Sequence, residues 1–195
     1  MATAATPMGA EPVDTLSASG SFTGKVRHIK IANAYGTAIF YGDFVKLVAA
    51  GTVEKAAVTT SVVAGTVGIF VGCAYTDPST NQMTFNQQFP ASTAADDIVA
   101  YVVDDPKLLF RMQGDEAIAQ TGLGNNISAV NTAGSTSIGR SKNALDGGSI
   151  ATTNTLPLRV VDFVDGPTST VGDAFTDCIV TYLPLSHAYE TKLGV

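Results

Sequence analysis

The sequence predicts a mainly β fold, a compact β-barrel or β-sandwich with an extended N-terminal arm and long loops. Three observations carry this. The apolar residues fall in short runs that mostly alternate with period two, and Gly, Pro, Asn and Asp separate those runs. Helical period is nearly absent, with Asp115 to Gln120 the one stretch suited to a helical turn or two. At 195 residues the chain suits one domain that removes about 70% of its unfolded surface from water. The expected layout is an extended arm over 1–24, a single β domain over 25–187 and a tail over 188–195.

Residues 1–24 are mostly Ala, Thr, Ser and Gly, punctuated by Pro7 and Pro12, and bury too little to fold alone. Val13, Leu16 and Phe22 are the sparse hydrophobes, read as anchors that dock the arm on a neighbouring chain. The first run of the domain places Arg27, Ile29 and Ile31 on one face and His28 and Lys30 on the other. It reads as a half-exposed strand. Asp43 to Val48 reads as the next. Thr66 to Ala74 sets Val67, Ile69, Val71 and Cys73 against Gly68, Phe70 and Gly72, which suits a central strand buried on both sides with close backbone approach.

Asp77-Pro78-Ser79-Thr80-Asn81 carries turn chemistry, because Pro presets φ while Asp and Asn close Asx turns, so Met83 to Phe89 is expected to return as a hairpin partner. Ile98 to Val103 and Leu108 to Gln113 read as a second pair around Asp104-Asp105-Pro106. Gly122 to Thr155, rich in Gly, Ser, Thr and Asn, reads as long loops with one or two short strands. Leu156 to Val164 and Phe175 to Leu183 supply the late strands. Gly42-Asp43, Gly114-Asp115 and Gly172-Asp173 share one strand-entry chemistry, in which Gly accepts positive φ and Asp caps the turn.

Composition excludes several function classes. Apolar residues make up 45% of the chain and charged residues only 14%, so the surface draws on Thr, Ser, Asn and Gly, as suits a component of an assembly. A net charge of −6 argues against a nucleic-acid partner, because phosphate binding needs clustered Lys and Arg. Lys25, Arg27 and Lys30 form the one basic cluster, suited to an acidic patch on a protein partner. No basic segment followed by an apolar one opens the chain and no run approaches a membrane span, so no membrane partner and a cytoplasmic site of synthesis are expected. Cys73 and Cys178 each lie in apolar stretches and read as buried small hydrophobes, with a single bridge left open.

Sites for chemistry are sparse. His28 and His187 read as surface or interface histidines, and no Gly-x-Ser-x-Gly elbow accompanies them. Asp96-Asp97 and Asp104-Asp105 are adjacent pairs whose side chains diverge in a strand, so they read as turn residues and not as a cation site or an acid/base pair. Gly122-x-Gly124 lacks the lysine and the context of a phosphate loop. Without Trp, an aromatic sugar platform would fall to Tyr35 and Tyr41, which more often close a core. No catalytic residue, metal ligand or cofactor is therefore nominated.

The run from Gly68 to Pro78, Phe89-Pro90-Ala91, Ala100 to Pro106, Ser141 with Leu145-Asp146, and Leu156 to Phe163 together resemble a family of tailed-phage virion proteins encoded beside the major capsid protein. The resemblance spans roughly residues 24–187, and Phe89 stands where members often have Trp. It implies a capsid cement or decoration subunit, a homotrimer that binds the major capsid protein on the outer surface of the shell. The acidic charge fits an outer position, away from packaged DNA. The capsid or subunit contacts expected on this reading are Val13, Leu16, Phe22, Lys25, Arg27 and Lys30. The competing expectations are another virion part, such as a head-fibre base or tail protein, and a host-glycan-binding module.

Overall fold

The computed structural model describes residues 4–17, 22–59, 65–184 and 186–190. Its strands are β1 (Glu11–Thr15), β2 (Arg27–Lys30), β3 (Phe44–Leu47), β4 (Val53–Lys55), β5 (Thr66–Thr76), β6 (Met83–Asn86), β7 (Val99–Val103), β8 (Leu108–Gln113), β9 (Asn126–Val130), β10 (Ala144–Ala151), β11 (Leu158–Phe163) and β12 (Asp177–Tyr182). They form two antiparallel sheets, one ordered β1-β8-β12-β11-β9-β10 and the other β2-β7-β5-β3-β4 with β6 added to β5. Neither sheet closes on itself among the described residues, so of the two expected architectures the chain adopts the sandwich. Among the described residues the one helical element is a single 3-10 turn at Gln120–Gly122, which starts at the last residue of the stretch suited to a helical turn.

The main core lies between the sheets. Leu108, Phe110 and Met112 of β8 and Cys178, Val180 and Tyr182 of β12 alternate inward to meet Phe44, Ile69 and Val103 of the second sheet. Phe44 packs edge-on against Phe110 and Tyr182, at centroid separations of 5.6 and 6.1 Å, so one aromatic trio ties the layers together. Burying such a ring contributes about 1.5–3 kcal/mol. A second core covers the outer face of the second sheet, where the loop residues Ile39, Phe89 and Ile98 close over Val45, Phe70 and Val102.

β5 is buried on both faces, as its composition predicts, but its side chains do not keep one alternation. Val67, Phe70 and Cys73 face the outer core while Ile69 and Val71 face the inter-sheet core. Register shifts opposite Val45/Lys46 of β3 and between Phe70 and Gly72 insert one extra residue each, and each insertion switches the strand's parity. Gly68 permits this: a Cβ there would lie 2.1 Å from the Val103 carbonyl oxygen.

The β5–β6 hairpin forms as expected, with Asp77 accepting from the Ser79 N–H at 2.7 Å and from the Ser79 hydroxyl at 2.6 Å. The expected second hairpin does not form. β7 belongs to one sheet and β8 to the other, so Asp104 to Lys107 is a corner between layers, closed by Asp105 accepting from the Lys107 N–H at 2.8 Å. Period-two patterning and turn residues are the same for a hairpin and a corner, so the two runs looked paired when they only follow one another. β9 and β10 are the short strands within the loop-rich region, and β11 pairs with β12.

The described N-terminal residues are extended, as expected, but they dock on their own chain. β1 pairs with β8 as an edge strand of its own chain, Ala10 is buried in the inter-sheet core, and Arg140 forms an ion pair with Glu11. Pro12 is tolerated there because the outer edge of β1 needs no donor.

Candidate interaction surface at the N-terminal strand

The end of β1, the segment leading into β2 and the β7–β8 corner enclose a crevice of about 410 Å³ lined by Thr15, Phe22, Lys25, Arg27, Asp104 and Tyr189 among others. β1 is fastened to the corner by the Leu16 N–H donating to the Lys107 carbonyl at 2.8 Å and by the Thr15 hydroxyl donating to Asp105 at 2.8 Å. Phe22 turns its ring onto the inter-sheet core. Arg27 pairs with buried Asp104, and its guanidinium also lies over the Tyr189 ring at 5.3 Å from the centroid. Burial raises the Tyr189 phenol above its ordinary pKa; Asp104 adds to this and Arg27 opposes it. Lys107 and Glu190, next in sequence to the lining residues Pro106 and Tyr189, form an ion pair at 3.0 Å.

Of the six residues nominated from sequence, the structure brings Phe22, Lys25 and Arg27 to this crevice. Val13 and Leu16 lie on or just past β1 and are 46% and 51% exposed, so within this chain they are uncovered apolar side chains. Val13 sits at a bulge, where β1 slips against β8. Lys30 is exposed on β2 but does not line the crevice, and the positive charge of Arg27 is taken up by Asp104. The three cations therefore do not form one free basic patch, because residues 27 and 30 of a strand fall on opposite faces.

His187 is not a surface residue. It is fully buried, wedged edge-on between Tyr182 and Tyr189 at centroid separations of 5.2 and 5.1 Å. Burial lowers its pKa, outweighing a backbone contact at Val67 and the charges of Glu190, Asp104 and Asp105, which act the other way. His28 is exposed and packs on Tyr101. Neither histidine is hydrogen-bonded to a serine, cysteine or carboxylate among the described residues. Cys73 and Cys178 are free and lie in different cores, on opposite faces of the second sheet, and burial pushes both thiols up to about 12.

Asp96 and Asp97 diverge as expected, Asp96 accepting from the Asn33 amide at 2.6 Å and Asp97 from the Thr76 hydroxyl at 2.7 Å. Sequence reasoning missed a different group. Asp115, Glu116 and Asp146 bring one carboxylate oxygen each to within 4.8 Å of one another, close enough to share a cation, although exposed acids also gather without one. Asp115 and Asp146 are far apart in sequence and are brought together by the Asp115 N–H donating to the Leu145 carbonyl at 2.9 Å and the Asp115 carboxylate accepting from the Gly147 N–H at 3.0 Å. It missed Tyr189 and Glu190 too, since nothing in a C-terminal segment indicates which corner it covers. No described helix is long and apolar enough to cross a membrane. Comparison with protein-family models, curated proteins and solved structures finds no match.

Proposed function

We propose that this chain is a structural protein of a tailed-phage virion, a non-enzymatic cement or decoration subunit that binds the outer surface of the assembled capsid and stabilises it. The observation that carries this reading is the pair Val13 and Leu16, uncovered on an edge strand whose inner side is tied to the domain by hydrogen bonds and an ion pair. An apolar edge held in place loses little further entropy when a partner covers it, and each anchor contributes up to about 1.5–3 kcal/mol if fully buried. The sequence resemblance supplies the partner, the major capsid protein, and the homotrimeric state. A subunit that binds only the assembled lattice stabilises it by its own binding free energy, multiplied by the several contacts each trimer makes.

The test uses Val13→Asp and Leu16→Asp. Deleting residues 1–21 would also strip Ala10 from the core and β1 from its sheet, whereas these substitutions touch exposed side chains and leave the fold intact. The expected result is unchanged thermal unfolding of the isolated protein together with loss of retention on capsids under heat. Equal retention of substituted and native protein on the same shells would refute the proposal. A virion copy number far below that of the major capsid protein would favour a fibre or tail part instead.

A further inference from the structure

We propose that the outer edge of β6 is a self-association surface, pairing antiparallel with β6 of a second copy of this chain across a two-fold axis at Thr84. The pairing is independent of any capsid role and is read on the isolated protein.

The backbone sets the register. The Gln82 carbonyl accepts from the Asp77 N–H at 2.9 Å, and the ladder continues with Tyr75 opposite Thr84 and Cys73 opposite Asn86. In an antiparallel ladder alternate residues aim both backbone groups at the same neighbour. Gln82, Thr84 and Asn86 therefore face β5, and Met83 and Phe85 turn their N–H and C=O groups outward, where no other described strand pairs with them. The side chains of the same two residues are uncovered. Phe85 is 72% exposed and Met83 60%.

Sheet edges are ordinarily protected by lysine, inward charge or proline within the strand. Here no Lys, Arg, Asp or Glu occurs from Pro78 to Ala95, and β6 itself, Met83-Thr84-Phe85-Asn86, holds no proline. Charge selects the occupant. Two copies at −6 each repel over most of their surface, and this uncharged stretch is where like copies can meet without opposing charges. A strongly basic or acidic partner would find nothing to pair with.

The strand is also self-complementary. With the axis at Thr84, Met83 of each copy stands opposite Phe85 of the other, so their outward N–H and C=O groups satisfy one another and the thioether meets the ring, a favourable sulfur–aromatic contact. Thr84 then faces its own copy as a non-hydrogen-bonded pair, with Cα atoms about 4.5 Å apart.

That spacing lies within disulfide range, and the native thiols are buried, so Thr84→Cys introduces a new thiol at the axis, on a half-buried position that solvent still reaches. Under mild oxidation it is expected to give a covalent dimer, whereas Thr80→Cys at the exposed hairpin tip is not. Adding Phe85→Lys to Thr84→Cys should abolish the cross-link, and Phe85→Lys alone should weaken concentration-dependent association in sedimentation by at least about tenfold. Phe85 is exposed, so the variant keeps the fold, which circular dichroism verifies. Cross-linking of Thr84→Cys no faster than that of Thr80→Cys, or sedimentation unmoved by Phe85→Lys, would overturn the proposal.

Discussion

Replacing Asp43 by Asn tests how the second sheet is held to the loops around it. The Asp43 carboxylate is fully buried and is met by the Lys55 ammonium at 2.8 Å, the Ser141 hydroxyl at 2.7 Å, the Asn143 amide at 3.1 Å and the Phe40 N–H at 2.9 Å. One side chain thus joins the turn into β3, strand β4 and the loop before β10. Lys55 is only 17% exposed, so removing the negative charge leaves an ammonium that water reaches poorly. Breaking a buried pair from one side costs about 3–5 kcal/mol, and a chain of this length loses about 2–4 °C of Tm per kcal/mol. Asp43→Asn is therefore expected to lower the midpoint by about 6–20 °C, read by circular dichroism on heating. Adding Lys55→Met removes the stranded charge and should recover part of the loss. A Tm for Asp43→Asn within about 2 °C of the native protein would refute the reasoning, because the hub would then be no more than a set of interchangeable surface contacts.

Gly68→Ala should yield little folded protein, since the new Cβ meets the Val103 carbonyl oxygen of an adjacent strand, whereas Gly51→Ala, at φ +74° in open space, should cost only about 1–2 kcal/mol. Soluble yield and urea midpoints distinguish the two. Because burial lowers the His187 pKa, the unfolded chain binds this proton more readily than the folded one, so its contribution is complete above about pH 6.5 and is lost as pH falls below that value. Urea midpoints measured from neutral to mildly acidic pH should decline, and His187→Phe should flatten that decline. Cys73 and Cys178 should both resist a thiol reagent in the native state and react once urea unfolds the chain; rapid native labelling of either would contradict their burial.

The repeated Gly-Asp pairs show how far local chemistry reaches. At Gly42-Asp43 and Gly172-Asp173 the glycine has positive φ and the aspartate accepts from the N–H three residues earlier, Phe40 and Thr170 respectively. At Gly114-Asp115 the glycine φ is not positive and the aspartate reaches instead to Gly147, across to another strand. The first two are turns that their own residues can close. The third is decided by what packs beside it, and it contributes to the carboxylate group that no local pattern could indicate.

The sequence by itself determined the fold class, the doubly buried β5, the β5–β6 hairpin and the presence of the two late strands, because each depends on period-two patterning and on turn residues that act within a few positions. It also marked Val13 and Leu16 as unusual hydrophobes in a polar segment. Only the tertiary structure decided that these lie on an edge strand of their own sheet, that β7 and β8 part at a corner, that Arg27 is neutralised by Asp104, and that His187 is buried. The physical reason is common to all four. A strand's alternation states that one face is buried but not which strand lies beside it, and pairing, ion partners and the covering of the termini are long-range choices made by the packing of the two sheets.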